Sequence, residues 1–237
     1  MNLDFSHWHD AFQSPTWYQT LIPEWKKIED YAKTLPEEER DLLKERVYAV
    51  VQAELEAGNI ALGSTGPNQD QERQPIDAVV IHHTSQQHEI SWQRLSAIHL
   101  IRLYAPRYFL PNEKVDLHHT GEPIYSHHFR NKDQQVFYAY HWLIRANGTQ
   151  ERLLQDTEIG WHAGNWDINC CSVGICLDGD FTHSDPPLEM IQSVQSLCAT
   201  LYKDIPKNRI FGHREINPKT ECPGNTYLNG WQKTFVE

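Results

Sequence analysis

The reading of this chain turns on the stretch Phe211-Gly212-His213-Arg214-Glu215-Ile216-Asn217-Pro218-Lys219-Thr220-Glu221-Cys222-Pro223-Gly224. A histidine closes a short apolar run, a proline-containing loop follows, and a cysteine arrives nine positions after the histidine. Imidazole and thiolate on two anchored points suit one borderline-soft metal ion. A third donor lies upstream, where Ala78-Val79-Val80-Ile81-His82-His83-Thr84 reads as a buried β-strand with a histidine at its exit. His82, His213 and Cys222 would form a His2Cys set with a fourth position open, the pattern of catalytic rather than structural zinc. His83 competes with His82; neighbours on a strand face opposite ways, so only one of the two can look into the site.

These stretches, with Tyr140-His141-Trp142 and Ser172-Val173-Gly174-Ile175-Cys176-Leu177, resemble in order the motifs of zinc-dependent N-acetylmuramoyl-L-alanine amidases of the phage-lysozyme and peptidoglycan-recognition-protein type. The resemblance covers roughly residues 76 to 235. It implies Zn2+ as cofactor, selects His82 over His83, and keeps His213 and Cys222 as the other two ligands. Zinc in such a site lowers the pKa of bound water toward ~7 and polarises a carbonyl, which amide hydrolysis needs at neutral pH. By the same resemblance Tyr140 faces the metal, where its hydroxyl orients water or bonds the oxyanion. Thr220, two residues before the cysteine, matches the recognition-protein amidases as an oxyanion donor, and Lys219 reaches the same place only if the loop is shifted. Trp161-His162-Ala163-Gly164-Asn165 resembles the family's cleft-edge segment, which makes Trp161, His162 and Asn165 substrate contacts, with His162 also a candidate proton carrier. A cytoplasmic recycling branch of the family carries glutamate where Cys176 stands here, so an obvious general base is absent. Each residue also has a plainer reading: a core histidine for His213, a small buried hydrophobe for Cys222, a cross-strand aromatic for Tyr140, a loop-packing histidine for His162.

Composition bounds the partners. The 237 residues are 39% apolar and 11% aromatic, ordinary for a globular protein with one sizeable domain and an appendage. A formal charge of −11 argues against nucleic acid, whose binding relies on Lys and Arg neutralising phosphate. It also disfavours long-range attraction to an anionic wall or membrane, so a soluble muropeptide, or peptidoglycan gripped by short-range contacts, fits better. The five cysteines are odd in number and include the adjacent Cys170-Cys171, a poor disulfide framework. No basic-plus-apolar leader precedes Asp4-Phe5-Ser6, and no apolar run approaches the ~18 residues of a membrane span. These features predict a reducing cytoplasm and no membrane span; an endolysin made inside the cell and released to the wall has the same signature.

Along the chain, residues 1–62 read as a helical extension, 63–75 as a polar linker and 76–237 as the amidase domain. Within the extension, Trp17 to Leu35 is amphipathic, Thr34 and Glu37 suggest a capping box, and Leu42, Leu43, Val47, Val50, Val51 and Leu55 share a helical face ended by Gly58. Ser91 to Tyr104 reads as a helix and Pro106 to Gln135 as an insertion loop whose histidines, His118, His119, His127 and His128, are loop residues, the alternative being an adventitious or second metal site. Val136 to Arg145 and Gln150 to Leu154 read as strands joined by an Asn147-Gly148 turn with positive φ angles. Ser172 to Leu177 is a strand, Pro187 to Lys203 a helix, and Arg209 to Gly212 a last short strand. The expected fold is α/β, a mixed central β-sheet flanked by helices, with the helical N-terminal extension. The expected activity is hydrolysis of the amide between the lactyl group of N-acetylmuramic acid and L-alanine. The alternatives are a non-catalytic peptidoglycan-binding module and a zinc amidase acting on another N-acyl amino acid or peptide amide.

Overall fold

A computed structural model describes residues 4–109, 120–131, 133–228 and 230–236, the side chains of 235 and 236 aside. In chain order the elements begin with helices α1 (Ser6–Phe12), α2 (Trp17–Ala32) and α3 (Glu37–Glu56), strand β1 (Ala78–His83) and helix α4 (Trp92–His99). A π-helical turn (Leu100–Tyr104), α5 (Ala105–Phe109), the ribbon β2 (Phe129–Arg130) and β3 (Gln134–Gln135), and strands β4 (Trp142–Ile144) and β5 (Gln150–Arg152) follow. Then come α6 (Trp166–Cys171), β6 (Ser172–Leu177), α7 (Leu188–Thr200), β7 (Ile210–Gly212), α8 (His213–Ile216) and α9 (Lys233–Val236). They divide into two compact units, Gln69–Ile90 with Tyr138–Glu237, and Met1–Asn68 with Ser91–Phe137.

The first of these holds a five-stranded mixed sheet in the order β5-β4-β6-β1-β7. β1 lies parallel between β6 and β7, β4 runs parallel to β6, and only the β4–β5 pair is antiparallel. Every residue of β1 and β6 is buried, the condition of parallel strands covered on both faces, which is why both read as continuous apolar runs. Val79, Ile81, Val173, Ile175 and Leu177 share one core with Met190, Val194 and Leu197 of α7. Full burial of each such side chain is worth about 1.5–3 kcal/mol.

The Asn147-Gly148 turn is present, but Gly148 alone of the pair has positive φ, at 81°. Gly148 N–H donates to Arg145 O (2.8 Å) and Arg145 N–H to Thr149 O (2.9 Å), a three-residue loop that needs one left-handed position where the two-residue type I′ turn needs two. β4 also starts later than the apolar pattern suggests. Ladder pairing begins at Trp142, and Tyr140 precedes it. The loop leaving β1 is pinned by a buried carboxylate: Asp178 accepts the N–H groups of Glu89 (2.8 Å) and Ile90 (3.4 Å) and pairs with Arg145 Nη1 at 2.7 Å.

Part of the expected 63–75 linker is structured. Gln69–Glu72 is a 3-10 turn, and the Arg73 guanidinium donates to the carbonyls of Asn169 (3.0 Å), Cys170 (3.2 Å) and Ser172 (2.9 Å). Those acceptors are the C-terminal end of α6 and the start of β6, where helix carbonyls lack intrahelical partners.

The other unit is mainly helical. Trp8, Phe12, Trp17, Tyr18, Leu21 and Ile22 are fully buried, with Phe12 and Trp17 meeting edge to face at 5.0 Å. The capping-box expectation fails. Thr34 Oγ1 donates to Tyr31 O at the end of α2 (2.7 Å), and α3 starts after Pro36 with no side-chain cap. On α3 the buried stripe is Leu43, Val47, Tyr48 and Val51, and Leu42 lies off it, 63% exposed. Gly58 ends the segment at φ +71° as expected. The 106–135 region is less irregular than its composition suggests. It holds most of α5, the β2–β3 ribbon and a buried core of Ile124, Ser126 and His128, so His128 is an interior residue. His118 and His119 lie outside the described residues. Among the described residues no helix is long and apolar enough to cross a membrane.

Each unit buries a neutral histidine. His99 in α4 and His141 before β4 are both pushed down to about 3, chiefly by burial. His141 Nδ1 accepts the Gly174 N–H (3.0 Å) and its Nε2–H donates to Glu158 O (3.0 Å), so no position remains for a second proton. The unfolded chain binds protons below the ordinary pKa of about 6.5, and the fold refuses them until near 3. This contribution to stability is therefore complete above about pH 6.5 and is lost as pH falls from there toward 3. The urea midpoint should drop by an amount worth a few kcal/mol between pH 7.5 and pH 5, above the range where most carboxylates titrate. An unchanged midpoint over that interval would contradict buried, neutral histidines.

Candidate metal centre

Strand register assembles the site. Ile81 of β1 is the Cα partner of Gly212 of β7, so the next residue of each strand, His82 and His213, emerges side by side at the carboxyl edge of the sheet. Their ring centroids are 4.6 Å apart. The loop after α8 returns along this edge, tied by Arg214 N–H to Cys222 O at 2.8 Å, and delivers the cysteine. One ligand atom from each of His82, His213 and Cys222 lies within 4.8 Å of the others. Two glycines make this approach possible. A Cβ on Gly212 would sit 2.5 Å from the Tyr227 ring, and one on Gly224 would sit 2.0 Å from Phe181 O.

The donors are prepared for a cation. The His213 ring is hydrogen-bonded to the Ala163 backbone, while its Nε2 is buried with no hydrogen-bond partner. An orphaned buried nitrogen is costly unless something binds it. Cys222 Sγ accepts the His83 N–H at 3.3 Å and lies 3.7 Å from His82 Nδ1. Burial, with a smaller push from the Asp180 carboxylate, raises the Cys222 thiol to about 12, and burial, with a smaller contribution from His83, holds the His213 imidazolium down to about 4. Neutral imidazole is the ligating form, and a bound cation would reverse the thiol's preference by deprotonating it. The set therefore fits zinc. His83 faces away as strand alternation requires, with Nδ1 accepting the Phe181 N–H (3.0 Å) and Nε2 on Ser85 Oγ (2.8 Å).

Tyr140 is half-buried with its ring 5.0 Å from that of His82, and its hydroxyl is hydrogen-bonded to Cys176. Burial raises the Cys176 thiol well above its ordinary range, so it stays protonated. Thr220 Oγ1 accepts the Cys222 N–H at 3.1 Å, which leaves its own proton able to donate. Lys219 is exposed, and only its backbone N–H is engaged, by Asn217 Oδ1 at 3.1 Å.

The segment expected at a cleft edge is arranged differently. His162 is 4% exposed and lies behind His82, Nδ1 to Nε2, at 3.0 Å. Burial holds it well below the ordinary histidine range. Trp161 is also buried. Asn165 is exposed and serves as the N-cap of α6, its Oδ1 accepting the Ile168 N–H at 3.2 Å. Sequence reasoning passed over Ser172 and His141, which enclose His162. The available signal was Gly174, a glycine inside an otherwise apolar buried strand, which marks close approach by another group.

The profile of the N-acetylmuramoyl-L-alanine amidase family matches residues 108–225, a range that contains Tyr140, His162, His213, Thr220 and Cys222 and begins after His82. The endolysin of Escherichia phage T7 is 32% identical over 101 residues, which are 40% of this chain and 64% of the endolysin. The 1,6-anhydro-N-acetylmuramyl-L-alanine amidase AmpD of Haemophilus influenzae is 27% identical over 107 residues, 42% of this chain and 58% of that enzyme. The chain thus spans less than two thirds of either relative. Among solved structures, the endolysin LysCS of Clostridium intestinale superposes with a TM-score of 0.49 at 22% identity, over 74% of this chain and 94% of that one. With the family profile running from α5 to the loop that carries Cys222, this part of the chain is similar to the N-acetylmuramoyl-L-alanine amidases.

Proposed function

We propose that the protein is a zinc-dependent amidase that cleaves the bond between the lactyl group of N-acetylmuramic acid and L-alanine, in peptidoglycan or soluble muropeptides. The observation that carries this reading is the convergence of His82, His213 and Cys222, with His213 Nε2 buried and without a partner. These three side chains would hold the metal. When bound, zinc supplies a Lewis acid that polarises the scissile carbonyl and acidifies water. The name of the Haemophilus influenzae relative and the description of the matching family support the muramoyl–alanine linkage, and the net charge of −11 favours a soluble fragment or short-range contacts with the wall.

The chain's own groups act around that centre. Tyr140, whose hydroxyl donates to Cys176 Sγ in the free protein and whose ring lies tilted 5.0 Å from that of His82, turns that proton to the carbonyl oxygen as negative charge develops there. Thr220 serves the same oxygen, its Oγ1 oriented by the Cys222 N–H. Cys176, held protonated, positions Tyr140 and is not the base. All of these residues belong to Gln69–Ile90 and Tyr138–Glu237, so the proposed 76–237 amidase domain draws its chemistry from that unit, with residues 1–62 as a helical extension. Five free cysteines suit a reducing compartment such as the cytoplasm.

The test is metal content together with release of L-alanine-headed peptide from purified muropeptides, with and without chelator. One zinc per chain and chelator-sensitive cleavage are expected. Zinc without cleavage would turn the assignment to a binding module or another amide, and cleavage unaffected by chelation would overturn it. Cys222→Ser should lose most of the zinc and the activity together. Tyr140→Phe should retain zinc while kcat falls about 10²–10³-fold, the usual cost of one oxyanion donor; an unchanged kcat would remove Tyr140 from the mechanism.

A further inference from the structure

We infer that His162 and Ser172 form a positioning relay that fixes which nitrogen of His82 faces the metal and thereby sets the protein's zinc affinity. The inference rests on the zinc reading above. His82 Nε2 is 3.0 Å from His162 Nδ1, His162 Nε2 is 3.3 Å from Ser172 Oγ, and Ser172 Oγ is 2.5 Å from Ile168 O.

The direction of every proton in this chain follows from its far end. A carbonyl oxygen only accepts, so the Ser172 hydroxyl proton is committed to Ile168 O. The His162 ring also donates to the Ser172 backbone carbonyl, so the nitrogen on that side, Nε2, 3.3 Å from Ser172 Oγ, carries the proton. A neutral His162 carrying its proton on Nε2 has a bare Nδ1, which accepts from His82 Nε2–H. His82 is left with its lone pair on Nδ1, the nitrogen 3.7 Å from Cys222 Sγ. Backbone carbonyls at the junction of α6 and β6 thus set the tautomer of a metal ligand.

β6 is built to hold this relay. Ser172 and Gly174 share one face of the strand by two-residue alternation. A Cβ on Gly174 would meet His162 Cγ at 2.8 Å and Cδ2 at 3.0 Å, so the absence of a side chain there is the space the ring occupies. The Gly174 N–H is bound to His141 Nδ1, and the His141 ring packs 5.9 Å from that of His162. Outer partners of this kind orient metal-ligating histidines, and losing one typically weakens metal binding about 10–100-fold.

The test is zinc affinity by chelator competition, with the visible spectrum of the cobalt-substituted protein as a second readout. His162→Leu keeps volume and removes the acceptor, whereas His162→Asn loses volume and keeps an acceptor close to the position of Nδ1. The relay predicts about 10–100-fold weaker zinc binding and shifted cobalt bands for His162→Leu, substantial recovery of both in His162→Asn, and a smaller loss in Ser172→Ala. Wild-type affinity in His162→Leu, or His162→Asn binding no better than His162→Leu, overturns it. If the His162 variants do not fold, Ser172→Ala decides: weakened affinity with shifted cobalt bands supports the relay, and wild-type values for both overturn it. A wild-type protein that binds no zinc overturns the zinc reading, and the relay with it.

Discussion

The parallel pairing of β1 with β7 is the constraint on which the site depends. It places Ile81 opposite Gly212, and the following residues, His82 and His213, then leave the sheet together. A shift of one residue in this register would turn one of the two rings to the other face of the sheet. Burial makes such a shift costly. All six residues of β1 are enclosed, and Val79 and Ile81 are integral to the core shared with α7. The hydrophobic pattern that stabilises the sheet and the geometry that gathers the donors are therefore the same fact about β1.

Behind those donors the interior is polar in an unusual way. His82, His141 and His162 are all buried, and each has a hydrogen-bonding partner. Unpaired, such groups would each cost a few kcal/mol. Linked in series to backbone carbonyls, they become an ordered support in a low-dielectric setting where each bond is stronger than it would be in water. Glycines supply the room, at Gly174 for the His162 ring and at Gly160, where a Cβ would stand 2.1 Å from Ala139 O.

Much of the sheet was legible because parallel, two-sided burial writes itself as unbroken apolar runs. β1, β6 and β7 could be read directly, as could the Gly58 stop and the Gly148 turn. The convergence of His82, His213 and Cys222 was legible because a histidine at each strand end and a cysteine in a short loop fall at spacings that suit one shared centre. What escaped was everything decided by depth or by non-local partners. Nothing local in Trp161-His162-Ala163-Gly164 says whether the imidazole turns to a cleft or to the interior; the deciding groups, Ser172 and Gly174, are on another strand. Asn165 looked like a contact residue and is a helix cap, a competing use that Asn finds wherever a helix follows. Leu42 was read onto the buried face and is exposed because helical spacing alone does not rank two adjacent faces by what packs against them. The Asp178–Arg145 pair joins positions 33 residues apart and could not be inferred from either neighbourhood.

The same β1 pairing bears on how the chain is made. Ala78 waits for Ser172, and Val79 for Ile210, so a fully buried strand emerges from the ribosome long before its partners exist. Non-local parallel pairing of this kind folds slowly, because the entropy of closing a long loop precedes any reward from contact. During that interval the Ala78-Val79-Val80-Ile81 edge is an exposed template for other chains. Refolding from denaturant should therefore be limited by concentration, and holding nascent chains apart should matter more to yield than the stability of the finished fold.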